Sequence, residues 1–547
     1  MTLRQIFTSK IILSTILLLF VMKGLVLSFL IPIFQNPDEQ THYGTIQHWA
    51  ASEEEKGLER RSLNQPYDAN DIRTSNLPEE MVRSAYLGKF DEIKFEKQNM
   101  QDFSDPRIEN EIIENEWKRY VDTEPTTLSG TKSVYYLVAS WLERIFSNES
   151  IFVRIFSSRM LAVVFGVATV LLAYLIARKI GFSDRVSLLL TTLVAFQPML
   201  SITAAQVNID IALIFSFSLF LYAGVCILRD GLGWKNALLA VFAATLGVFS
   251  KGPGILLVAM LYPLFAWGAY RKYIESSIMD SRLPARNASH IDAGGRGNDK
   301  KKRFFVYLAL ATIMTAGIAF LAVPKEYLTS ITNTSVSSEF DSPLKSLEKY
   351  FDKTTDMGEF RDTSLAYWGH FGWLDAPIPR WMLSIINWVE IIGFVAILLY
   401  LLTPVILAKA GIRRLLSSWI PDQVRDDKAG WVPERKYLVF FLGMILFLQF
   451  AIRFYDWRVF DAAGKILIGQ PGRYFLPNII GHLILVSVGL GIAISWVRVA
   501  VGIFSNKTET MFDSEKDFEL VMKVLALGMI LLGFYAIVNV IIPRYYL

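Results

Sequence analysis

The sequence predicts an all-α membrane protein that crosses the bilayer roughly eleven times. Of its 547 residues, 53% are hydrophobic and only 19% are charged, which is too apolar a balance for a water-soluble protein of this length. The apolar residues also come in runs of roughly 17 to 25, the length at which a helix spans the hydrocarbon core. The runs lie near residues 11–34, 158–177, 186–205, 209–228, 236–250, 253–270, 304–323, 382–407, 437–453, 474–497 and 519–541.

Composition and motifs exclude several other classes of protein. The net charge of +4 is spread over many loops, so the sequence offers no basic face for nucleic acid. The single cysteine, Cys226, excludes an internal disulfide framework and a cysteine-based metal site. No G-x-x-x-x-G-K-[ST] sequence occurs, which excludes a P-loop ATPase within this sequence.

The apolar runs and polar segments divide the chain in order. Residues 1–34 hold a short N-terminus and the first run, which we expect to stay in the mature protein because no small-x-small cleavage site follows it. The other predicted divisions are a polar segment at 35–155, six runs at 156–323, a second polar segment at 324–381 and four runs at 382–547.

Lysine and arginine set the expected orientation, because short basic loops favour the cytoplasmic side. They collect before the first run and after the second, fourth and sixth runs, and these places share one side if the N-terminus is cytoplasmic. The residues concerned include Arg4, Lys10, Arg178, Lys179, Arg185, Arg229, Lys235, Arg271 and Lys272. Both long polar segments and the C-terminus would then lie outside.

An amphipathic helix is predicted near the end of the first polar segment. Apolar residues recur at helical spacing from Val134 to Phe146, with Glu143 and Arg144 on the opposite side. This pattern is typical of a helix that lies in the membrane interface. A packed surface helix would give the same pattern.

An acidic pair, Asp38 and Glu39, directly follows the first run. One interpretation is a helix start, with Asn36 as N-cap and Pro37 as the first helical residue. The other is chemical, because Asp38 could accept a proton from an attacking hydroxyl group. His42 stands one turn further along and could share a divalent metal with Asp38.

Further ionisable residues are predicted on the outer side. Asp210 lies at the end of a run, where such groups usually serve function, although a helix cap is the alternative. Lys251 and Arg473 each adjoin glycine and could hold an anionic leaving group, with snorkelling at helix ends as the alternative. An aromatic cluster could stack on a sugar or an isoprenoid, or anchor the interface. It comprises Trp368, Phe371, Trp373 and Trp381 with His370 and Asp375.

Several segments resemble the GT-C superfamily of integral-membrane glycosyltransferases, which use polyprenyl-phosphate-linked sugars. They are the acidic pair after the first run, residues 133–181, and GVFSKGPGILLV at 247–258. More specifically, four pieces are similar to a little-characterised family of bacterial membrane proteins with glycosyltransferase-like architecture. These pieces are PDEQTH at 37–42, QPMLSITAAQVNID at 197–210, HFGWLDAPIP at 370–379 and GQPGRYFLP at 469–477.

The resemblance implies a GT-C-like fold with a large external first loop and an inverting sugar transfer at the outer face of a bacterial cytoplasmic membrane. It implies that Asp38 is the catalytic carboxylate, with Glu39 beside it, and that Asp210 is the second acid. The predicted substrate-binding residues are His42, Asn208, Lys251, Trp373, Asp375, Gln470 and Arg473. The donor would be a polyprenyl-phosphate-linked sugar and the acceptor an envelope glycan, lipid or protein, while a divalent metal stays open.

Two other functions stay open from the sequence. A transporter or flippase of lipid-linked glycans would need a polar path through the spans, and Lys23 and Glu390 lie within runs. The sequence shows no internal repeat of the kind that many transporters have. A non-catalytic scaffold could instead bind a partner through its acidic external loop. Carboxylates at the outer face favour the enzyme.

Overall fold

The computed structural model describes residues 3–51, 79–100, 106–114, 133–281, 342–354, 357–410, 431–463, 472–504 and 514–547. The α-helices of the first half are α1 (Leu3–Leu30), α2 (Glu39–Ala50), α3 (Glu79–Leu87), α4 (Phe90–Lys94), α5 (Pro106–Glu114), α6 (Val134–Ile145), α7 (Ile151–Lys179), α8 (Asp184–Phe196), α9 (Pro198–Thr203), α10 (Asp210–Asp230), α11 (Trp234–Val248) and α12 (Ile255–Ser281).

The second half is also mainly helical. Its α-helices are α13 (Pro343–Thr354), α14 (Met357–Trp368), α15 (Arg380–Ala410), α16 (Arg435–Ala463), α17 (Ile479–Phe504), α18 (Ser514–Ala536) and α19 (Ile542–Tyr546). A 3₁₀ helix, Gly472–Asn478, leads into α17, and a π-helical turn, Ile537–Ile541, leads into α19. The two short strands β1 (His370–Phe371) and β2 (Ala376–Pro377) form an antiparallel hairpin, with His370 opposite Pro377.

The predicted all-α membrane fold is confirmed. Eight helical segments among the described residues are long and apolar enough to cross a membrane. They are Thr8–Leu30, Ile151–Lys179, Asp210–Asp230, Gly252–Arg271, Arg380–Thr403, Arg435–Asp461, Gly472–Arg498 and Glu515–Tyr546. Asp210–Asp230 is the most deeply buried of them and forms the centre of the bundle.

The structure differs from the predicted run at 186–205, which is broken into two helices. The first helix ends at Phe196 and the second begins at Pro198. Gln197, which lies between them, has an extended backbone because the ring of Pro198 disfavours the helical conformation of the residue before it. The Lys23 ammonium group donates to the Ala195 carbonyl oxygen at 2.5 Å, so this intramembrane charge caps the interrupted helix. Of the other predicted runs, 236–250 forms a helix of 15 residues, and 304–323 lies outside the described residues.

The basic loops gather at one end of the bundle. Arg178 pairs with Asp184 at 2.9 Å, and Lys179 pairs with Asp230 at 2.6 Å. At the opposite end, Arg544 of α19 contacts the hairpin and the 90–98 segment. The external segment and the C-terminal helix therefore share an end, while their position outside the cytoplasm stays a prediction.

The amphipathic helix predicted from Val134 forms and exposes an apolar stripe. Leu137, Trp141 and Ile145 are 44%, 62% and 71% exposed. The expected position of Glu143 on the polar side is wrong, because this carboxylate is fully buried and pairs with Arg154. The face of the helix that holds Glu143 packs against α2 and α7 and does not contact solvent. A charged residue is tolerated there only because it forms an ion pair.

Candidate functional site

Asp38 lies at the end of the loop that joins α1 to α2. The helix begins at Glu39, so the interpretation of Asn36 as its N-cap is wrong. Asp38 itself holds the N-cap position, but its backbone is left-handed with φ of 63° and its side chain caps nothing. The carboxylate is 54% exposed and accepts a hydrogen bond from Arg473 Nη2 at 3.1 Å.

Arg473 is the second residue of the 3₁₀ helix that precedes α17. The preceding residue, Gly472, packs so closely that a Cβ atom there would lie 1.9 Å from the Thr363 carbonyl oxygen. Only glycine therefore allows this approach. The Arg473 guanidinium lies 5.6 Å from the ring centre of Tyr474 and has a side-chain exposure of 12%.

Asp210 and Lys251 form a second ion pair at the same place. Lys251 precedes a tight turn between α11 and α12, where a Cβ atom on Gly254 would lie 1.9 Å from the Gly247 carbonyl oxygen. Its ammonium group contacts Asp210 Oδ1 and lies 4.6 Å from the ring centre of Tyr474. The capping interpretation of Asp210 is not supported, because its carboxylate pairs with Lys251.

Asn208 supports Asp210 through the backbone. Its Oδ1 atom accepts a hydrogen bond from the Asp210 amide at 2.6 Å, at the start of α10. The Asn208 side chain therefore provides the acceptor for the first amide of α10. The Asp210 carboxylate forms the ion pair with Lys251 instead.

His42 lies among these charges on the first turn of α2. Its Nδ1 atom and the Tyr136 hydroxyl group are 2.6 Å apart and share a hydrogen bond. Burial lowers the pKa of His42 from 6.5 to about 4, since the effects of the nearby acids and cations oppose each other. The imidazole is therefore neutral near neutral pH. The acids and cations that act on it are Asp38, Asp210, Lys251 and Arg473.

We call Asp38, His42, Asp210, Lys251 and Arg473 the outer ionic cluster, after the side of the membrane on which the sequence predicts them. It holds two carboxylates, two fixed cations and one neutral imidazole, so its net charge is zero. Lys251 and Arg473 come from different parts of the chain. A phosphate oxygen accepts the same hydrogen bonds as a carboxylate oxygen, so an anionic ligand could replace Asp210 or Asp38 as the partner of either cation. The cluster could therefore bind a phosphate and leave a carboxylate free beside it. Sequence reasoning missed Tyr136 and Tyr474, whose spacing gave no separate signal.

The structure does not favour a catalytic role for Glu39. Its carboxylate is fully buried and accepts hydrogen bonds from Arg159 Nε at 2.9 Å and Arg159 Nη2 at 2.7 Å. The amides of Phe34 and Val207 donate to the same two oxygens at 3.1 and 3.0 Å. Because both oxygens are occupied inside the protein, the predicted role of Glu39 in catalysis is corrected to a structural one.

Trp373 and Asp375 belong to a separate group on the β-hairpin. Asp375 Oδ2 lies 2.7 Å from both Lys97 Nζ and Arg544 Nε. Burial opposes ionisation of Asp375, but these two hydrogen bonds prevail and lower its pKa. The Lys94 ammonium group lies 3.4 Å from the Trp373 ring centre. These residues join the hairpin to the external segment instead of entering the outer ionic cluster, and Gln470 lies outside the described residues.

The outer ionic cluster does not fit a divalent metal. Within the described ranges, no group of three or more His, Cys, Asp and Glu side chains could hold a metal ion. Arg473 engages Asp38, Lys251 engages Asp210, and Tyr136 engages His42 Nδ1. A dication would have to compete with a protein cation at each of the two carboxylates.

The fold and the cluster define a polytopic membrane protein with a charged site at one end of its helix bundle. Residues 19–481 match the family described as predicted membrane protein DUF2142, and the chain belongs to this family. No curated protein matches the chain.

Two solved structures show a distant likeness. One is the Archaeoglobus fulgidus oligosaccharyltransferase in the apo form, with a TM-score of 0.38, 12% identity, and coverage of 96% of this chain and 56% of that chain. The other is the oligosaccharyltransferase AglB from Archaeoglobus fulgidus in complex with an inhibitory peptide and a dolichol-phosphate, with a TM-score of 0.32, 12% identity, and coverage of 95% and 55%. The chain spans just over half the length of each.

Proposed function

We propose that the protein is a membrane glycosyltransferase that transfers a sugar from a polyprenyl-phosphate donor to a hydroxyl group of a cell-envelope acceptor. The observation that carries this proposal is the outer ionic cluster, in which Lys251 and Arg473 flank one tyrosine ring beside the exposed Asp38. The resemblance of the sequence motifs to GT-C glycosyltransferases supports it. The active face would be the outer side of a bacterial cytoplasmic membrane.

The two cations suit the leaving group of such a transfer. A sugar leaves its lipid phosphate as the negative charge on the phosphate grows, so fixed positive groups stabilise the transition state. Arg473 offers a planar fork that can grip two phosphate oxygens, and Lys251 offers a point charge. Both already face carboxylates, and a phosphate would compete with these for the same donors.

Asp38 is the proposed proton acceptor. The acceptor oxygen would attack the anomeric carbon from the face opposite the phosphate, so the configuration inverts. The bond between that carbon and the phosphate oxygen breaks, and its electron pair stays on the phosphate. The hydroxyl proton passes to Asp38, which is released from Arg473 when the arginine turns to the phosphate. No step of this reaction passes through a metal, because the donor set does not fit one.

The transporter alternative loses support from the intramembrane charges. Lys23 caps the broken helix through the Ala195 carbonyl oxygen. Glu390 pairs with His482 at 2.8 Å, and His482 also shares a hydrogen bond with Tyr367 at 2.6 Å. Each charge thus has a local structural partner.

Binding of undecaprenyl phosphate to the purified protein, followed by native mass spectrometry, tests the proposal. Arg473→Met and Lys251→Met each remove a charge-assisted contact worth about 1.5 to 3 kcal/mol, so we expect the dissociation constant to rise about 10- to 150-fold. Lys235→Met, which removes an exposed cation at the opposite end, is the matched control. Equal binding by all four proteins would contradict the phosphate site. Mass spectrometry of lipids that co-purify with the parent would identify the sugar.

A further inference from the structure

The loop that carries Asp38 is held in a strained conformation. Residues 31–38 join α1 to α2, and both Phe34 and Asp38 have a left-handed backbone with φ of 63°. A left-handed backbone is unfavourable for residues other than glycine, and it persists only where the surroundings hold it. The surroundings of this loop therefore decide where the Asp38 carboxylate points.

Arg159 and Glu39 hold the loop from within the bundle. Arg159 Nη1 donates to the carbonyl oxygens of Ser28 at 2.6 Å and Ile31 at 2.8 Å, and Nη2 donates to that of Pro32 at 3.1 Å. Glu39 pairs with the same guanidinium and accepts the Phe34 amide. The Arg159 and Glu39 side chains are at most 2% exposed, so these contacts lie inside the protein.

Helix α19 holds the loop from the other side. The Tyr545 hydroxyl group donates to the Gln35 carbonyl oxygen at 3.2 Å, and the Tyr546 hydroxyl group donates to that of Leu30 at 2.8 Å. Arg544 fastens this helix to Asp375 of the hairpin at 2.7 Å. A residue more than five hundred positions away thus contacts the loop directly before Asp38.

We propose that Tyr545 is a positioning residue that acts, with Glu39 and Arg159, through the 31–38 loop to keep the Asp38 carboxylate facing Arg473. Aspartate is a favoured N-cap residue, and Asp38 holds the N-cap position of α2 without capping it. If the loop relaxed, the carboxylate would turn to the free amides of the helix start and leave Arg473. The inference rests on the proposed role of Asp38.

A double-mutant cycle on the turnover number tests this inference. Tyr545→Phe removes only the hydroxyl group, and loss of one hydrogen bond of about 0.5 to 1.5 kcal/mol lowers turnover about 2- to 12-fold. In an Asp38→Asn background, whose turnover is about a hundredfold lower, the same change leaves the rate unaltered, since the carboxylate it positions is gone. Undecaprenyl phosphate should bind no more weakly than to the parent in any of these variants, because both cations stay in place and only the carboxylate that competes for Arg473 is changed. Tyr270→Phe, at an exposed tyrosine of α12, is the control.

An equal loss from Tyr545→Phe in both backgrounds would overturn the inference, because it would show that Tyr545 acts independently of Asp38. A parent-like rate for Asp38→Asn alone would instead refute the proposed function, so the two failures are distinguishable. Arg544→Lys provides a second variant that loosens α19 while keeping the charge beside Asp375. It should show the same dependence on Asp38, and an Asp38-independent loss there would also count against the inference.

Discussion

Replacing Arg154 by methionine should destabilise the end of the bundle near α2 more than the loss of an ordinary ion pair would. Arg154 at the start of α7 contacts Glu80 and Glu143, and all three side chains are at most 1% exposed. Glu143 also accepts a hydrogen bond from the Tyr43 hydroxyl group at 2.8 Å. Because Tyr43 lies beside His42 on α2, this buried group supports the helix that carries part of the outer ionic cluster.

The magnitude follows from the charges. The parent buries two carboxylates and one guanidinium, whereas Arg154→Met buries two carboxylates with no cation. Breaking a buried pair in this way costs about 3 to 5 kcal/mol. The two buried carboxylates would also repel each other once the guanidinium between them is gone, which adds to the loss.

Thermal unfolding of the purified proteins measures this loss of stability. Arg229→Met is the matched control, because Arg229 is 50% exposed and its pair with Asp230 should contribute at most about 1 kcal/mol. Adding Glu80→Gln and Glu143→Gln to Arg154→Met should restore much of the lost stability, since it removes the unpaired charges. An Arg154→Met protein that unfolds like the parent would refute this reasoning.

Other predictions concern topology, metal and pH. A reporter inserted near residue 90 and one fused after Leu547 should lie on the same side of the membrane, outside the cytoplasm, and a cytoplasmic signal at either would contradict the orientation. Treatment with EDTA should leave sugar transfer unchanged, and restoration of a lost rate by added Mg²⁺ or Mn²⁺ would show that a metal is needed. The pKa of His42 is about 4 in the folded protein against 6.5 in a free histidine, so the unfolded chain takes up the proton first as pH falls. Between about pH 6.5 and 4 the parent should therefore lose more stability than His42→Gln, as measured by thermal unfolding. Identical pH dependence of unfolding in the two proteins would contradict a link between His42 protonation and stability.

The sequence was most informative where one local pattern decides the outcome. The apolar runs predicted the membrane helices, because backbone groups in a bilayer must be satisfied within the helix itself. The same rule failed at Gln197, where the apolar composition continues but Pro198 ends the helix, and Lys23 from another helix satisfies a freed carbonyl group. The average composition of a run does not detect the break that a single proline makes in a helix. It also does not reveal that a residue of another helix bonds the freed carbonyl group.

The sequence also predicted the members of the site better than their roles. The glycines near Lys251 and Arg473 indicated close backbone approach, and Gly254 and Gly472 are packed too tightly for a Cβ atom. The pattern could not show that Asp375 pairs with Arg544, because this pairing depends on how α19 folds back onto the hairpin. Tertiary contacts over such distances leave no periodic trace in the sequence.

The adjacent residues Asp38 and Glu39 show most clearly why roles need the structure. Both are carboxylates next to the same membrane helix, and the sequence gives no reason to separate them. The left-handed backbone at Asp38 turns one side chain outward to Arg473, which lies 435 positions away, while the first turn of α2 directs the other into the bundle to Arg159. The exposed acid keeps an exchangeable partner and can take up a proton, whereas the buried acid is fully hydrogen-bonded. One residue thus supplies the chemistry that we propose, and its neighbour supplies the rigidity that this chemistry needs.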